Sequence, residues 1–275
     1  MSGGNCPETP RQKMIGMMYL MLTAMLALNV SGDLLNAFDL VDQSIRNQKK
    51  TTEEKLGLSY YNFEAKAQQN EQRVKPKYEL ALEVKAKSDS LVSYIQSLKQ
   101  TMIDVADGKD SGSTPENYVN KSDQDKAAQV MMVEGGGKRL RQFRDALLSY
   151  RESMLNAAQA DTALPVDSML IHSIGAALEA PSEKEGDVVL NEWGSRLFEH
   201  LPLAATMGLL SAVQSNVRNV ETDVVNYLYK SIDAASFKFN VLVPLVIPES
   251  QYVIQGGQYK ADIMLAAYDD TMDPI

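Results

Sequence analysis

Residues 78–107, YELALEVKAKSDSLVSYIQSLKQTMIDVAD, set the fold class. Val84, Leu91, Leu98 and Val105 recur every seven residues, and Ile95 and Met102 add a second row. A narrow apolar seam of this period belongs to a helix packed in a bundle or coiled coil. Gly108 is suited to end it, because a helix commonly closes on a residue in the left-handed conformation.

Helical signals extend in both directions from this stretch. Upstream, Leu34, Phe38, Val41 and Ile45 follow one another at 4-3-4 spacing. Thr51-Thr52-Glu53-Glu54 has capping-box spacing, which predicts a new helix starting there, running toward Arg73 and stopping before Pro76. Downstream, residues 107–124 (DGKDSGSTPENYVNKSDQ) read as a loop. A short helix is expected over 125–134, ended by Gly135-Gly136-Gly137. Lys138 to Ala160 is the next helix, with Leu140, Phe143, Leu147 and Met154 on one face. Residues 163–186 read as a connector holding one buried helix over 169–178. Residues 193–229 read as one long helix, with Pro202 in a first turn and Leu210, Val213, Val217, Val220 and Val224 on the buried face.

After Ile232 the period changes to two. Phe237, Phe239, Val241 and Val243 alternate with other residues, as do Tyr259, Ala261, Ile263, Leu265 and Ala267, with Gly256-Gly257 between the runs. Two strands alone are marginal in water. The reading is therefore the start of a truncated β-sandwich-like domain over 234–275.

The N-terminal end differs from the rest. Arg11-Gln12-Lys13 precedes residues 14–32, MIGMMYLMLTAMLALNVSG, which carry no charge. As a helix these would be about 28 Å long, close to the hydrocarbon thickness of a bilayer. A cleaved signal peptide is the rival reading, but a cut after Ala27 would place Met25 where a small residue is wanted. A buried core helix is the third. The uncleaved anchor fits best, with 1–12 as a cytoplasmic tail, 13–32 as a transmembrane helix and 33–233 as an extracytoplasmic helical domain. Arg11 and Lys13 before the span, and Asp33, Asp39 and Asp42 after it, set that orientation. The fold class is thus mainly α: one membrane helix, a helical bundle, then a partial β-domain.

The 275 residues carry a formal charge of −9, from 27 Lys and Arg against 36 Asp and Glu. An acidic chain is a poor nucleic-acid binder, since neutralising phosphates takes clustered cations. The one cysteine, Cys6, precedes the span, so the domain beyond it has no disulfide. Two histidines leave little for a metal site, and no cofactor is expected. His172 reads as a core residue and His200 as a helix-end residue. Gly135–137 before Lys138 suggests a phosphate loop, but the pattern needs glycine at 132, which is Met132. No catalytic motif stands out, and the chain reads as a non-enzyme. Asn29-Val30-Ser31 and Asn120-Lys121-Ser122 match the short glycosylation pattern only weakly.

Within the first segment, Arg11 sits at the edge and Tyr19 two turns further in. Arg11 either snorkels to water or pairs with an acid. No acid lies in the span, so such a partner would come from another chain. Met14, Met17, Met18, Met21 and Met25 make the surface adaptable. Thr23 and Ala27, small and four apart, permit close helix approach.

Pro10-Arg11-Gln12-Lys13-Met14-Ile15, Met18-Tyr19-Leu20 and Met25-Leu26-Ala27-Leu28-Asn29 resemble the start of the GldM/PorM family of Bacteroidota. The resemblance continues in Val217-Arg218-Asn219, Glu221, Asn226-Tyr227-Leu228, Val246-Ile247-Pro248-Glu249-Ser250 and Leu265-Ala266-Ala267-Tyr268-Asp269. It implies a single-pass inner-membrane protein of the gliding-motility and type IX secretion machinery, with its bulk in the periplasm. It also implies a homodimer whose membrane helices sit inside a pentameric ring of GldL/PorL-like multi-pass subunits, driven by the proton motive force. Outer periplasmic secretion components would be further partners. The family's membrane arginine falls on Arg11 and its tyrosine on Tyr19, whereas Gly16 stands where relatives often carry Asn. The expected partner-binding residues are Arg11, Met18, Tyr19, Thr23 and Ala27. The alternative expectation is a single-pass sensory or ligand-binding helical ectodomain.

Overall fold

The computed structural model describes residues 9–28, 32–160, 168–182, 185–236, 241–248, 252 and 256–268. In chain order the helices are α1 (Pro10–Leu28), α2 (Gly32–Gln69), α3 (Glu71–Asp107), α4 (Lys126–Ala128), α5 (Lys138–Ala160), α6 (Ser168–Ala177), α7 (Gly186–Phe198) and α8 (Leu203–Ser236). A π-helical turn, Gln129–Val133, follows α4, and strands β1 (Val241–Pro248) and β2 (Ala261–Tyr268) follow α8.

Three long helices form the frame. At 1.5 Å per residue, α2, α3 and α8 are about 57, 55 and 51 Å long. α2 and α3 run antiparallel: the Phe63 and Tyr78 rings lie 5.6 Å apart, and Tyr60 Oη donates to the Ala81 carbonyl at 3.2 Å. α8 lies against both, antiparallel to α3. Lys99 meets Ser211 near one end, Gln214 Nε2 donates to the Val92 carbonyl at 3.0 Å, and Lys77 donates to Ser231 near the other end. The seven-residue seam of α3 is buried at Val84, Leu91, Leu98, Ile95 and Met102. Because α3 packs against both α5 and α8, its buried face widens to include Ser88, Val92, Lys99 and Ile103. α5 docks through Tyr150, which shares a hydrogen bond with Ser88 at 2.9 Å and donates to the Val217 carbonyl at 3.1 Å. α7 closes on α5 at Gly194, where a Cβ would stand 2.5 Å from Leu140 Cδ2. Phe143 stacks on Trp193 beside it, with ring centroids 5.7 Å apart.

Several expectations are corrected. No helix starts at Thr51: α2 runs on unbroken, and Thr51 Oγ1 bonds back to the Asn47 carbonyl at 3.1 Å. Pro76 does not stop a helix. The break falls at Asn70, so Pro76 sits early in α3. The stripe Leu34, Phe38, Val41, Ile45 is not the buried face of α2, since Leu34 and Val41 are exposed while Asp42 is buried one position on. The long helix expected over 193–229 is two, α7 and α8. His200, at φ 56°, lies in the turn between them, a helix-end position as expected. His172 is exposed on α6, not a core residue. The short helix before the three glycines is present, as α4 and the π turn, and Gly135, Gly136 and Gly137 all take positive φ.

Among the described residues no helix is long and apolar enough to cross a membrane. α1 starts at Pro10, so its first turn holds Arg11, Gln12 and Lys13, and it ends at Leu28. The uncharged part is therefore about 22 Å long, against roughly 30 Å of hydrocarbon. Residues 29–31, needed for the longer span, lie outside the described residues, as do Phe237 and Phe239 of the first expected strand.

β1 and β2 pair antiparallel, Val241 opposite Tyr268 through Pro248 opposite Ala261. Pro244 and Pro248 are tolerated in β1 because a two-stranded sheet has outward-facing positions with no ladder bond to lose.

Candidate functional site

All side chains described on α1, residues 10–23, are exposed. Met14, Ile15, Met17, Met18, Tyr19, Leu20, Met21 and Leu22 between them cover every side of the helix, so among its described side chains none is buried against the rest of the chain. Arg11, Ile15, Met18 and Leu22 share one face by their spacing, and Tyr19 and Thr23 form the adjoining i, i+4 row, while the side chain of Ala27 lies outside the described ones. Ile15, Met18, Tyr19, Leu22 and Thr23 line a shallow groove of about 390 Å³. Thr23 Oγ1 donates to the Tyr19 carbonyl at 2.6 Å, which hides its hydroxyl and leaves a methyl on the surface. Of the expected partner-binding residues, Arg11 and Met18 thus share one face and Tyr19 and Thr23 stand on the adjoining one, with a cation at one end and no acid in the first turn.

The second concentration of chemistry is inside the bundle. Arg218 on α8 reaches three carboxylates: Nε to Glu53 Oε1 on α2 at 2.9 Å, Nη2 to Asp89 Oδ1 on α3 at 2.7 Å, and Nη1 to Glu221 Oε2 on α8 at 2.7 Å. Glu221 is fully buried, and its Oε1 accepts from Tyr60 Oη at 2.9 Å. Burial raises the Glu221 carboxyl above the ordinary range, and the bonds from Arg218 and Tyr60 only partly oppose it. Burial and then the Glu221 charge push the Tyr60 hydroxyl up as well. For Arg218 burial works against the charge, but the three carboxylates outweigh it and keep the guanidinium protonated.

Nearer the start of α8, Lys99 is buried, with Nζ 2.5 Å from Ser211 Oγ and 3.5 Å from Gln214 Oε1. Asp42, also buried, is ion-paired to Arg46 at 3.0 Å. The loop after α3 clamps this end. Asp107 accepts from Ser113 Oγ at 2.6 Å and from the Val119 and Asn120 amides at 2.7 and 2.9 Å. Those bonds hold its carboxyl below the usual range despite some burial. The Asp123 and Lys121 carbonyls then accept from the first amides of α8, Leu203 and Ala204, at 2.7 and 3.1 Å, and Lys121 pairs with Asp39 on α2. Asn120 is occupied in this clamp, its Nδ2 bonded to the Ala106 carbonyl at 2.8 Å.

Sequence reasoning singled out none of Glu53, Asp89 or Lys99 for an interior role, because charged residues on long helices normally face water. Among the described residues no group of His, Cys, Asp and Glu is arranged to hold a metal ion. The arrangement is built to hold helices in register and offers an uncovered apolar helix at one end.

Comparison with known protein families matches residues 33–231, more than half of the chain, to the GldM N-terminal domain. Residues 233–275 match the GldM second domain. No curated protein is similar enough to match the chain.

Proposed function

The chain belongs to the GldM family of gliding-motility and type IX secretion components, and from that premise we propose that it is a non-catalytic subunit of a motor driven by the proton motive force. In this reading α1 and the uncharged residues after it anchor the chain in the bacterial inner membrane. The N-terminus is cytoplasmic and residues from 33 onward are periplasmic. Two copies stand inside a ring of GldL-like multi-pass subunits, and the long helices carry torque or displacement toward outer periplasmic partners.

The observation that carries this reading is α1 itself: apolar and exposed on every side, with Arg11 and Lys13 in its opening turns. Such a helix needs an apolar surrounding, and Arg11 needs an anion if it is drawn away from water. A charge at membrane depth costs roughly 2.5–3.5 kcal/mol even on insertion scales, so pairing with a carboxylate of a ring subunit would orient the helix. The proton-carrying acid then belongs to the ring.

Arg11→Ala and Arg11→Glu, co-expressed with the ring subunit, test this. Leaving the ring carboxylate without its partner costs about 3 kcal/mol, which should weaken assembly about 100-fold, with Arg11→Glu the worse of the two and secretion lost in both. Wild-type assembly and secretion in both variants would remove Arg11 from the interface.

A further inference from the structure

The donors and acceptors around Glu221 do not balance if it is ionised. Tyr60 has one hydroxyl hydrogen but two acceptors within reach, the Ala81 carbonyl at 3.2 Å and Glu221 Oε1 at 2.9 Å. The charges do not balance either. Glu53, Asp89 and Glu221 bring three carboxylates to one guanidinium, and Glu221 is the one with no exposure. The other groups facing this point do not supply the missing cation. Tyr60 on α2 and Tyr150 on α5 are neutral hydroxyls, and Lys85 on α3 lies 5.1 Å from the Tyr60 ring centroid rather than on the carboxylate.

We infer that Glu221 is a proton-binding site that holds its proton on Oε1, where α2, α3 and α8 meet. With that proton in place the network closes. Glu221 Oε1–H donates to Tyr60 Oη, Tyr60 O–H donates to the Ala81 carbonyl, and Oε2 still accepts from Arg218 Nη1. Every donor then has one acceptor, and the formal charge of the cluster changes from −2 to −1. The proton comes from solvent past Glu53 and Asp89, whose side chains are 37% and 49% exposed. Losing it leaves a buried carboxylate competing with Ala81 for one hydrogen, which loosens the tie that Tyr60 makes between α2, α3 and α8. The packing of residues 33–231 thereby responds to the pH of their compartment. The direction of the Glu221 shift agrees with this.

The sign of the pH effect follows from linkage. A carboxyl raised in the folded state makes that state bind more protons than the unfolded chain. Its contribution is full below the ordinary carboxylate range and is lost as pH rises through the folded pKa. The test uses the full chain in detergent. Glu221→Gln imitates the protonated acid, offering one donor to Tyr60 and one acceptor to Arg218. The urea midpoint of the wild type relative to Glu221→Gln should fall as pH rises from the ordinary carboxylate range past the folded pKa, a difference that leaves out Asp223, which burial also raises and which both proteins keep. Infrared spectra with carboxyl-labelled glutamate should show a carboxylic-acid C=O band, persisting above the ordinary carboxylate range, that Glu221→Gln lacks. Should that variant fail to fold, Tyr60→Phe serves instead, and the band should persist to higher pH than in the wild type, because the lost Tyr60 hydroxyl favours the carboxylate. Parallel midpoints for wild type and Glu221→Gln, no such band in the wild type, or a band unmoved by Tyr60→Phe would each overturn the proposal.

Discussion

Lys99 is 1% exposed, and its ammonium has Ser211 Oγ and, at longer range, Gln214 Oε1 for company. Burial pushes it down to about 8 from its ordinary 10.5, against the pull of Asp42 and Glu116. The unfolded chain therefore binds more protons than the folded one between these values. Stability gained from this group is full above the ordinary pKa and lost as pH falls through about 8. The difference corresponds to about 3 kcal/mol at 1.36 kcal/mol per unit. Lys99→Met should remove that alkaline rise and match or exceed the wild type at neutral pH, because an apolar side chain of similar length has no charge to desolvate. Tyr60, Tyr118 and Tyr150, all raised by burial, act in the opposite direction at higher pH. The informative quantity is therefore the urea midpoint of the variant relative to wild type at each pH. A constant difference across the alkaline range would show that Lys99 does not titrate as described. Nothing in the string Ser97-Leu98-Lys99-Gln100 marks this lysine as internal. Its burial comes from α8 crossing α3 there, a contact more than 100 positions away in sequence.

At the scale of elements, α2 has a weak point that sequence and structure both show. Gly57 lies within the helix on its exposed side, and a Cβ there would meet nothing within 4 Å. Gly57→Ala should therefore stabilise the chain by about 0.5–1 kcal/mol, through helix propensity and a less flexible unfolded state. A rise in urea midpoint with unchanged m-value would show it, whereas a loss would mean that this surface is covered in the assembled protein. The periodicity that defines α3, α5 and the buried row of α8 was readable because one packed face repeats along each helix. The ends of helices were less readable. Thr51-Thr52-Glu53-Glu54 has the spacing of a start, yet Thr51 is mid-helix, exposed, and its hydroxyl bonds back to the Asn47 carbonyl instead of capping a new turn. Pro76 looked like a stop, but it lies inside α3, where the one hydrogen bond it costs is outweighed by the buried packing of Val74, Ala81 and Val84 around it. The burial of Asp42 was not readable either. Its burial next to exposed Val41 follows where α8 lies, with Gly208 bringing that helix close, and apolarity does not predict it.

On the scale of the molecule, the long helices matter as rods only if they move together. Arg218 ties all three through Glu53 and Asp89, Tyr60 adds a second tie, and the loop after α3 clamps the start of α8 to α2 through Lys121 and Asp39. A motor subunit of the proposed kind requires displacement applied at α1 to travel along α2 without being absorbed by bending. Leu58, next to Gly57 and 66% exposed, allows that requirement to be probed with little loss of core contact. Leu58→Pro removes one helical hydrogen bond and forces a kink, at a cost of about 3 kcal/mol or more. Leu58→Ala at the same position should be silent. Under the proposal, Leu58→Pro still assembles with the ring subunit, because α1 is untouched, but secretion and gliding fail. Hydrogen exchange should show opening confined to the middle of α2. If Leu58→Pro opened α2 as described and secretion still ran at the wild-type rate, α2 would not be a rigid transmission element, and the chain's role would have to rest on its outer partners.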